Sequence, residues 1–384
     1  MNIIRKVKNF IRRVVAAILK RERTPMPVDN LSLEVLSETL ARNSKYRKEE
    51  ILTALETFLA VHERALWERF LLQSNQKMAR LIERMYRKAL QNPLQNAVQA
   101  GESAHIPVVW ITDDGYAFQT GVAITSLLCN KNPETSYRIY VLGRSLSDEN
   151  TRMLSALSTD VAVIPCDTSK VDAYNKTHPY VSEAALLKFD IPQILPQYDK
   201  VLYLDGDIVV LGDLAELYAT ELGDHLAAVV KDLLAMRHDY HVRTGVSSYF
   251  NSGVLLLNTR KMREENTTDQ LNSNKAKDTW RILMDQDTFN VTFAENVVWL
   301  HPRYNLMYAN NRISGWSLNQ MASFYEISAE DMLDTMNHPL IEHFCNRKKP
   351  WNTPLAEKYL DYQEYRVLFE MLLEKQGCHP ATKG

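Results

Sequence analysis

The sequence predicts an α/β fold, a strand-and-helix sheet domain preceded by an α-helical extension, and three observations predict it. From Pro107 onward, short apolar runs bounded by turn residues alternate with helical patterns, as expected of strands joined by crossover helices. Upstream of that point apolar residues recur at three- and four-residue spacing, the helical period. The tripeptide Asp205-Gly206-Asp207 closes the run Val201-Leu202-Tyr203-Leu204, so a buried strand delivers two carboxylates to the surface. At 384 residues and 45% hydrophobic content, the chain supports one large or two modest domains with an ordinary core.

At the N-terminus, Ile3, Ile4, Val7, Phe10, Ile11, Val14, Val15 and Ile18 share one helical face, with Arg5, Lys6, Lys8, Arg12 and Arg13 on the other. Residues 1–24 hold eight Lys or Arg against a single Glu22, which makes this a basic amphipathic helix. Each basic residue beside an anionic leaflet contributes about 1 kcal/mol, so the segment is expected to lie on a membrane surface. Its alternative is a helix packed on its own domain. The longest apolar stretch here, Val14 to Leu19, is six residues, too short to span a bilayer or to serve as a signal peptide.

Residues 25–105 read as a helical hairpin or coiled coil and a linker. Ile51, Leu52, Leu55, Phe58, Leu59, Leu66 and Phe70 form its stripe, which Leu81, Ile82 and Met85 continue until Pro93. That region is expected to be a spacer or a self-association element through which a homo-oligomer would form. A net charge of -2 argues against wholesale nucleic-acid binding. Cys129, Cys166, Cys345 and Cys378 lack CxxC or zinc spacing and read as reduced thiols. Together with the basic helix they give a cytoplasmic protein, peripheral on the inner face of the cell membrane.

Strands are expected at Val108 to Thr112, Arg138 to Leu142, Val161 to Ile164, Val201 to Leu204, Leu226 to Val230 and Gly253 to Leu257. In such sheets ligands bind beyond the carboxyl ends of strands, where Asp113-Asp114, Asp205-Gly206-Asp207 and Asp232 fall. Asp113-Asp114 would also cap the helix that follows. With neither GxGxxG nor GxxxxGK[ST] present, a dinucleotide dehydrogenase or P-loop enzyme has no support.

Two acids at alternate positions can converge on one ligand, and Gly206 lets a bulky group approach the backbone. Were the ligand a nucleoside diphosphate, acids and phosphates would repel, so a divalent ion must bridge them. An exposed Asp-Gly-Asp turn is the plain alternative. His343-Phe344-Cys345-Asn346-Arg347-Lys348-Lys349-Pro350-Trp351 adds an imidazole and lysines suited to phosphate oxygens. Between these lie Phe250-Asn251-Ser252-Gly253 and Asp285-Gln286-Asp287. The aperiodic stretch Leu233 to Phe250 reads as a cover over a ligand or as a surface excursion.

In this order and spacing the four segments resemble glycosyltransferase family 8, retaining enzymes that include bacterial lipopolysaccharide glucosyl- and galactosyltransferases, glycogenin and galactinol synthase. The resemblance covers about residues 106–355 and implies a GT-A type domain there, leaving 356–384 as a C-terminal helix and tail. It further implies metal-dependent transfer of a hexose from UDP-glucose or UDP-galactose to a glycan or glycolipid such as lipopolysaccharide. Carried over residue by residue, Asp113, Asp114 and Tyr116 would hold the nucleoside. Asp205, Asp207 and His343 would hold the metal, and Lys349 the diphosphate, with Gly206 in close contact. Lys188 and Asn251 would bind the donor sugar, alongside Asp232, Asp285 and Gln286 as the catalytic group. An imidazole among carboxylates leans toward Mn2+ over Mg2+. Lys188 departs from the usual arginine, which gives a planar two-point contact. Gly115 and Asn346 replace frequent Asn and Gly. A catalytically inactive UDP-sugar-binding or scaffolding protein is the rival reading.

Overall fold

The computed structural model describes residues 105–166, 183–277, 284–307, 316–345, 349–352 and 359–375. The expected amphipathic helix, the hairpin and Asn346 lie outside the described residues. Of the described chain, 105–349 and 368–375 belong to one compact unit, and 350–352 with 359–367 to another.

All six expected strands form: β1 (Ile106–Asp113), β2 (Tyr137–Arg144), β3 (Val161–Pro165), β4 (Val201–Leu204), β6 (Ala227–Lys231) and β7 (Phe250–Leu257). With β8 (Val297–Trp299) they build a seven-stranded sheet in the order β3-β2-β1-β4-β7-β6-β8. Six of these strands run in one direction; β7 pairs antiparallel with both β4 and β6. A mostly parallel sheet covered on both faces explains why its strands are continuous apolar runs rather than alternating ones.

Val109, Ile111, Tyr203, Val229 and Leu255 face one side, packed with Leu186, Leu187 and Phe189 of the 3-10 turn Glu183–Asp190. The helix α1 (Ala117–Asn130) lies on the opposite face, that of the fully buried Val108 and Trp110. There its Thr120 Oγ1 donates to Thr112 Oγ1 at 3.1 Å. Further along come α2 (Asp148–Ser155), α3 (Leu233–Arg237), α4 (Tyr240–Thr244) and α5 (Met284–Phe293). On α5, Phe289 meets Phe189 edge to face at 5.2 Å between ring centroids, filling the core beneath the sheet. A helix also covers Leu360–Lys375. Among the described residues no helix is long and apolar enough to cross a membrane.

A second sheet was not anticipated. Its strands β5 (Ile208–Val210), β9 (Leu306–Met307) and β10 (Ile341–His343) are two or three residues long, too short to show a period. β10 pairs antiparallel with β5 in a register that sets His343 opposite Ile208. The pairing is anchored to α1: the Val210 N–H donates to Ser126 Oγ at 2.9 Å, and Asn130 Nδ2 donates to the Val210 carbonyl at 2.7 Å. Replacing Ser126 by Ala would leave a buried N–H without its acceptor. The Ser126→Ala variant is therefore expected to lose about 1–3 kcal/mol of unfolding free energy, read by urea denaturation.

Candidate functional site

Asp205 leaves β4 with its N–H donating to the Gly253 carbonyl at 2.8 Å, which ties the acidic turn to β7. One residue after Asp207 the chain enters β5, and the β5 to β10 register carries His343 alongside. The Phe344 N–H donates to the Asp207 carbonyl at 2.9 Å, closing that corner. As a result one ligand atom each of Asp205, Asp207 and His343 lies within 4.8 Å of the others. His343 Nε2 is 3.2 Å from Asp207 Oδ1 and 3.7 Å from Asp205 Oδ2. Gly253 leaves the room for this convergence: a Cβ there would come 2.3 Å from His343 Cε1 and 2.8 Å from Asp205 Oδ2. At Gly206 the group that approaches is this chain's own Thr120, whose Oγ1 would lie 2.7 Å from an added Cβ.

The carboxylates are neutralised from two sides. Lys349 Nζ donates to Asp207 Oδ2 at 2.6 Å and to the Phe344 carbonyl at 2.8 Å. Burial works against the charge of Asp207, but Lys349 and then His343 hold its carboxyl well below the usual range. Below the sheet edge, Lys188 is buried with its ammonium among three oxygens: Asp285 Oδ2 at 2.7 Å, Asp205 Oδ1 at 3.1 Å and the Ser252 carbonyl at 3.1 Å. Desolvation disfavours that ammonium, yet Asp205 and Asp285 raise its pKa above the ordinary lysine value. Tyr203 donates its hydroxyl to Asp205 Oδ1 at 2.6 Å, and burial followed by Asp205 pushes this phenol far up.

Of the residues expected to hold a nucleoside, Tyr116 lies within electrostatic reach of the cluster. Burial raises its hydroxyl, with Asp207, Asp205 and Asp113 adding to the effect against Lys349. Asp113 Oδ1 accepts from the Tyr116 N–H at 3.1 Å and so fixes the turn that presents the ring. Asp114 looks elsewhere. It accepts from the Ser147 N–H at 2.8 Å and from Asn150 Nδ2 at 2.8 Å, so it ties down the start of α2 rather than capping α1. Burial opposes its charge, and the hydrogen bonds from Asn150 and Ser147 together outweigh it to lower the pKa.

The expected sugar-site residues meet in one hydrogen-bonded array. Because β7 runs against its neighbours, its first residues lie at the carboxyl edge of the others. Asn251 Nδ2 donates to Gln286 Oε1 at 3.0 Å and to Asp232 Oδ2 at 3.3 Å, while Gln286 Nε2 donates to Asp232 Oδ2 at 3.2 Å. Asp285 accepts from Ser252 Oγ at 2.8 Å and from Lys188. Asp232 also caps α3, accepting from the Ala235 N–H at 2.9 Å, so the 233–250 stretch opens as a short helix rooted in the site. Its outer part exposes Val242, and Arg243 lies over the Tyr240 ring at 4.0 Å.

Two participants were not foreseen from the sequence. Asn305 is fully buried between His343 Nδ1, 3.0 Å from its Oδ1, and Asn251 Oδ1, 2.9 Å from its Nδ2. Ser252 stands out in the sequence only as part of its segment. An isolated Asn before a two-residue strand carries no periodic signal, and only the folded register shows what it touches.

A sequence profile described as Glycosyl transferase family 8 matches residues 107–354. The chain belongs to that family. General stress protein A of Bacillus subtilis (strain 168) is 27% identical over 275 residues, covering 67% of this chain and 93% of that protein. A lipopolysaccharide 1,2-glucosyltransferase of Escherichia coli is 28% identical over 269 residues, 66% of this chain and 76% of its own length. Among solved structures, the galactosyltransferase LgtC in complex with donor and acceptor sugar analogs superposes with a TM-score of 0.60 at 25% identity. It covers 68% of this chain and 95% of its own. The family 8 domain here thus has the GT-A fold, its cluster of two aspartates and a histidine suited to a divalent cation.

Truncating Lys188 would leave Asp205 and Asp285 facing each other without the cation between them. Lys188→Met is expected to cost about 3–5 kcal/mol in urea unfolding, and Asp285→Asn in the same chain to recover part of that loss.

Proposed function

We propose that this family 8 protein is a metal-dependent retaining hexosyltransferase that moves glucose or galactose from its UDP-sugar to a glycan or glycolipid, such as lipopolysaccharide. The observation that carries the reading is the convergence of Asp205, Asp207 and His343 within 4.8 Å, beside Lys349 and Tyr116. Two carboxylates and one imidazole nitrogen are a donor set for a first-row divalent ion, and the imidazole favours Mn2+ over Mg2+. When bound, that ion would neutralise charge on the departing diphosphate.

Around it the chain's own residues would bind and orient the donor. Tyr116 would stack on the uracil, a contact of about 1–3 kcal/mol, with Asp113 at the nucleoside edge and Asp114 holding the start of α2. Lys349 would meet the diphosphate, and Gly206 would leave its backbone close to it. On the sugar side Asn251 would bind, with Asp232, Asp285 and Gln286 as the catalytic group, while Lys188, its donors taken by Asp205, Asp285 and the Ser252 carbonyl, would fix those acids rather than meet the sugar itself. Gln286 faces inward with its amide held by Asn251, Ser252 and Asp232. An amide is a feeble nucleophile, so attack from the same face as departure is preferred to a covalent adduct. The catalytic domain is taken as 106–355, followed by a helix and tail at 356–384. It is preceded by a self-associating helical region at 25–105 and a basic helix at 1–24 that would hold the protein on the inner face of the cell membrane.

Purified protein incubated with a panel of UDP-sugars is expected to release UDP from one hexose donor with Mn2+ and none with EDTA, with no glycosyl adduct in the intact mass. The double change Asp205→Asn and Asp207→Asn should lower that release by on the order of 100-fold and abolish Mn2+-dependent UDP binding, with circular dichroism unchanged. Binding of UDP with no turnover of any donor or acceptor would favour the inactive binding module instead. Sedimentation with vesicles containing anionic lipid should be lost on deleting residues 1–24 and weakened by salt; unchanged sedimentation would remove the membrane role.

A further inference from the structure

The geometry points to Asn305 as a positioning residue for His343, its amide oxygen holding the proton on Nδ1 and leaving Nε2 as the nitrogen that faces Asp205 and Asp207. The cation it would serve rests on the function proposed above; the relay itself rests on hydrogen bonds alone.

The polarity of the chain is fixed at its far end by a backbone group that can only donate. The Gly253 N–H donates to Asn251 Oδ1 at 2.9 Å, which identifies that atom as the amide oxygen. Its other side is checked independently: the Ser252 N–H donates to Gln286 Oε1 at 3.0 Å, and the same oxygen accepts from Asn251 Nδ2 at 3.0 Å. Since Asn251 Oδ1 is an acceptor, the Asn305 atom 2.9 Å from it must be the donor, Nδ2. Asn305 Oδ1 is then the atom 3.0 Å from His343 Nδ1. An amide oxygen cannot donate, so Nδ1 must carry the proton, and in the neutral ring Nε2 presents its lone pair to the carboxylate side. Asn305 is 0% exposed, which leaves no solvent to take over either contact.

A histidine ligand is commonly held by a partner on its other nitrogen. Here that partner is an amide with a second hand. Through Nδ2 it also orients Asn251, the residue that meets Gln286 and Asp232, so one side chain holds the cation ligand and the sugar-side array in a common frame.

The test uses the full chain without metal. Long-range proton-nitrogen spectra of 15N-histidine-labelled protein, with His343 assigned by a His343→Gln variant, should show a proton on Nδ1. Asn305→Asp retains an acceptor for Nδ1 but has no donor for Asn251. It should keep Mn2+ affinity within about threefold while raising the donor KM about five- to tenfold, through the loss of one hydrogen bond. Asn305→Leu removes both contacts and should weaken Mn2+ binding about 10- to 100-fold. A bare Nδ1 in the metal-free wild type would overturn the proposal, and so would an Asn305→Asp variant that loses Mn2+ as fully as Asn305→Leu. Wild-type protein with Nδ1 protonated that takes up no Mn2+ would instead overturn the metal reading and uphold the relay. The wild-type spectrum needs no variant to fold.

Discussion

Asp205 and Asp207 share one turn, and Asp232 and Asp285 reach the same sheet edge. Like charges 4 Å apart repel by about 4 kcal/mol at an effective dielectric of 20, so each carboxylate requires a compensating partner. The structure supplies a partner to every one of them, with Lys188 shared by two. Lys188 lies between Asp205 and Asp285, Lys349 meets Asp207, and Asp232 is satisfied by the amides of Asn251 and Gln286 and by the first turn of α3. The acids are held without collapsing onto one another, and one oxygen each of Asp205 and Asp207 lies within 4.8 Å of a ring nitrogen of His343.

Topology decides which partners are within reach. A strand parallel to its neighbours would send Asn251 and Ser252 to the opposite edge of the sheet; the reversal of β7 brings them to the carboxyl edge with the acids. The second sheet does the corresponding work for His343. β5 begins directly after Asp207, so pairing β10 to it fixes the histidine by backbone hydrogen bonds before any side chain is considered. A one-residue slip in that pairing would point position 343 to the other face. The hold of Ser126 and Asn130 on β5 therefore bears on the site although neither touches it.

The long strands were legible because runs such as Val201 to Leu204 and Gly253 to Leu257 are apolar throughout and end in turn residues. The acids that follow them were legible for the same reason, since a strand end in such a sheet faces the binding edge. β5, β8, β9 and β10 were not, because two or three residues fit a strand, a helix or a loop equally well. Asp113 and Asp114 are adjacent and chemically identical, yet one fixes the turn that presents Tyr116 and the other binds the start of α2. Sequence offers nothing to separate them. The amide relay is the extreme case: Asn305 acquires meaning only when β9, β10 and β7 are brought together.

Lys188 shows how a departure from a family's usual residue can be consistent with its surroundings. An ammonium has three donors and tetrahedral spread, and here three oxygens lie within 3.1 Å of it, none of them solvent. The Tyr203 ring, 4.7 Å from the same nitrogen, supplies a further favourable face. A guanidinium would bring five donors on a planar fork, and a slot with three converging oxygens would leave some of them buried without partners. The lysine is thus matched to the space between Asp205 and Asp285. That space is set by Ser252, whose carbonyl meets the lysine while its hydroxyl meets Asp285. Changing the cation at this position would require changing the strand that frames it.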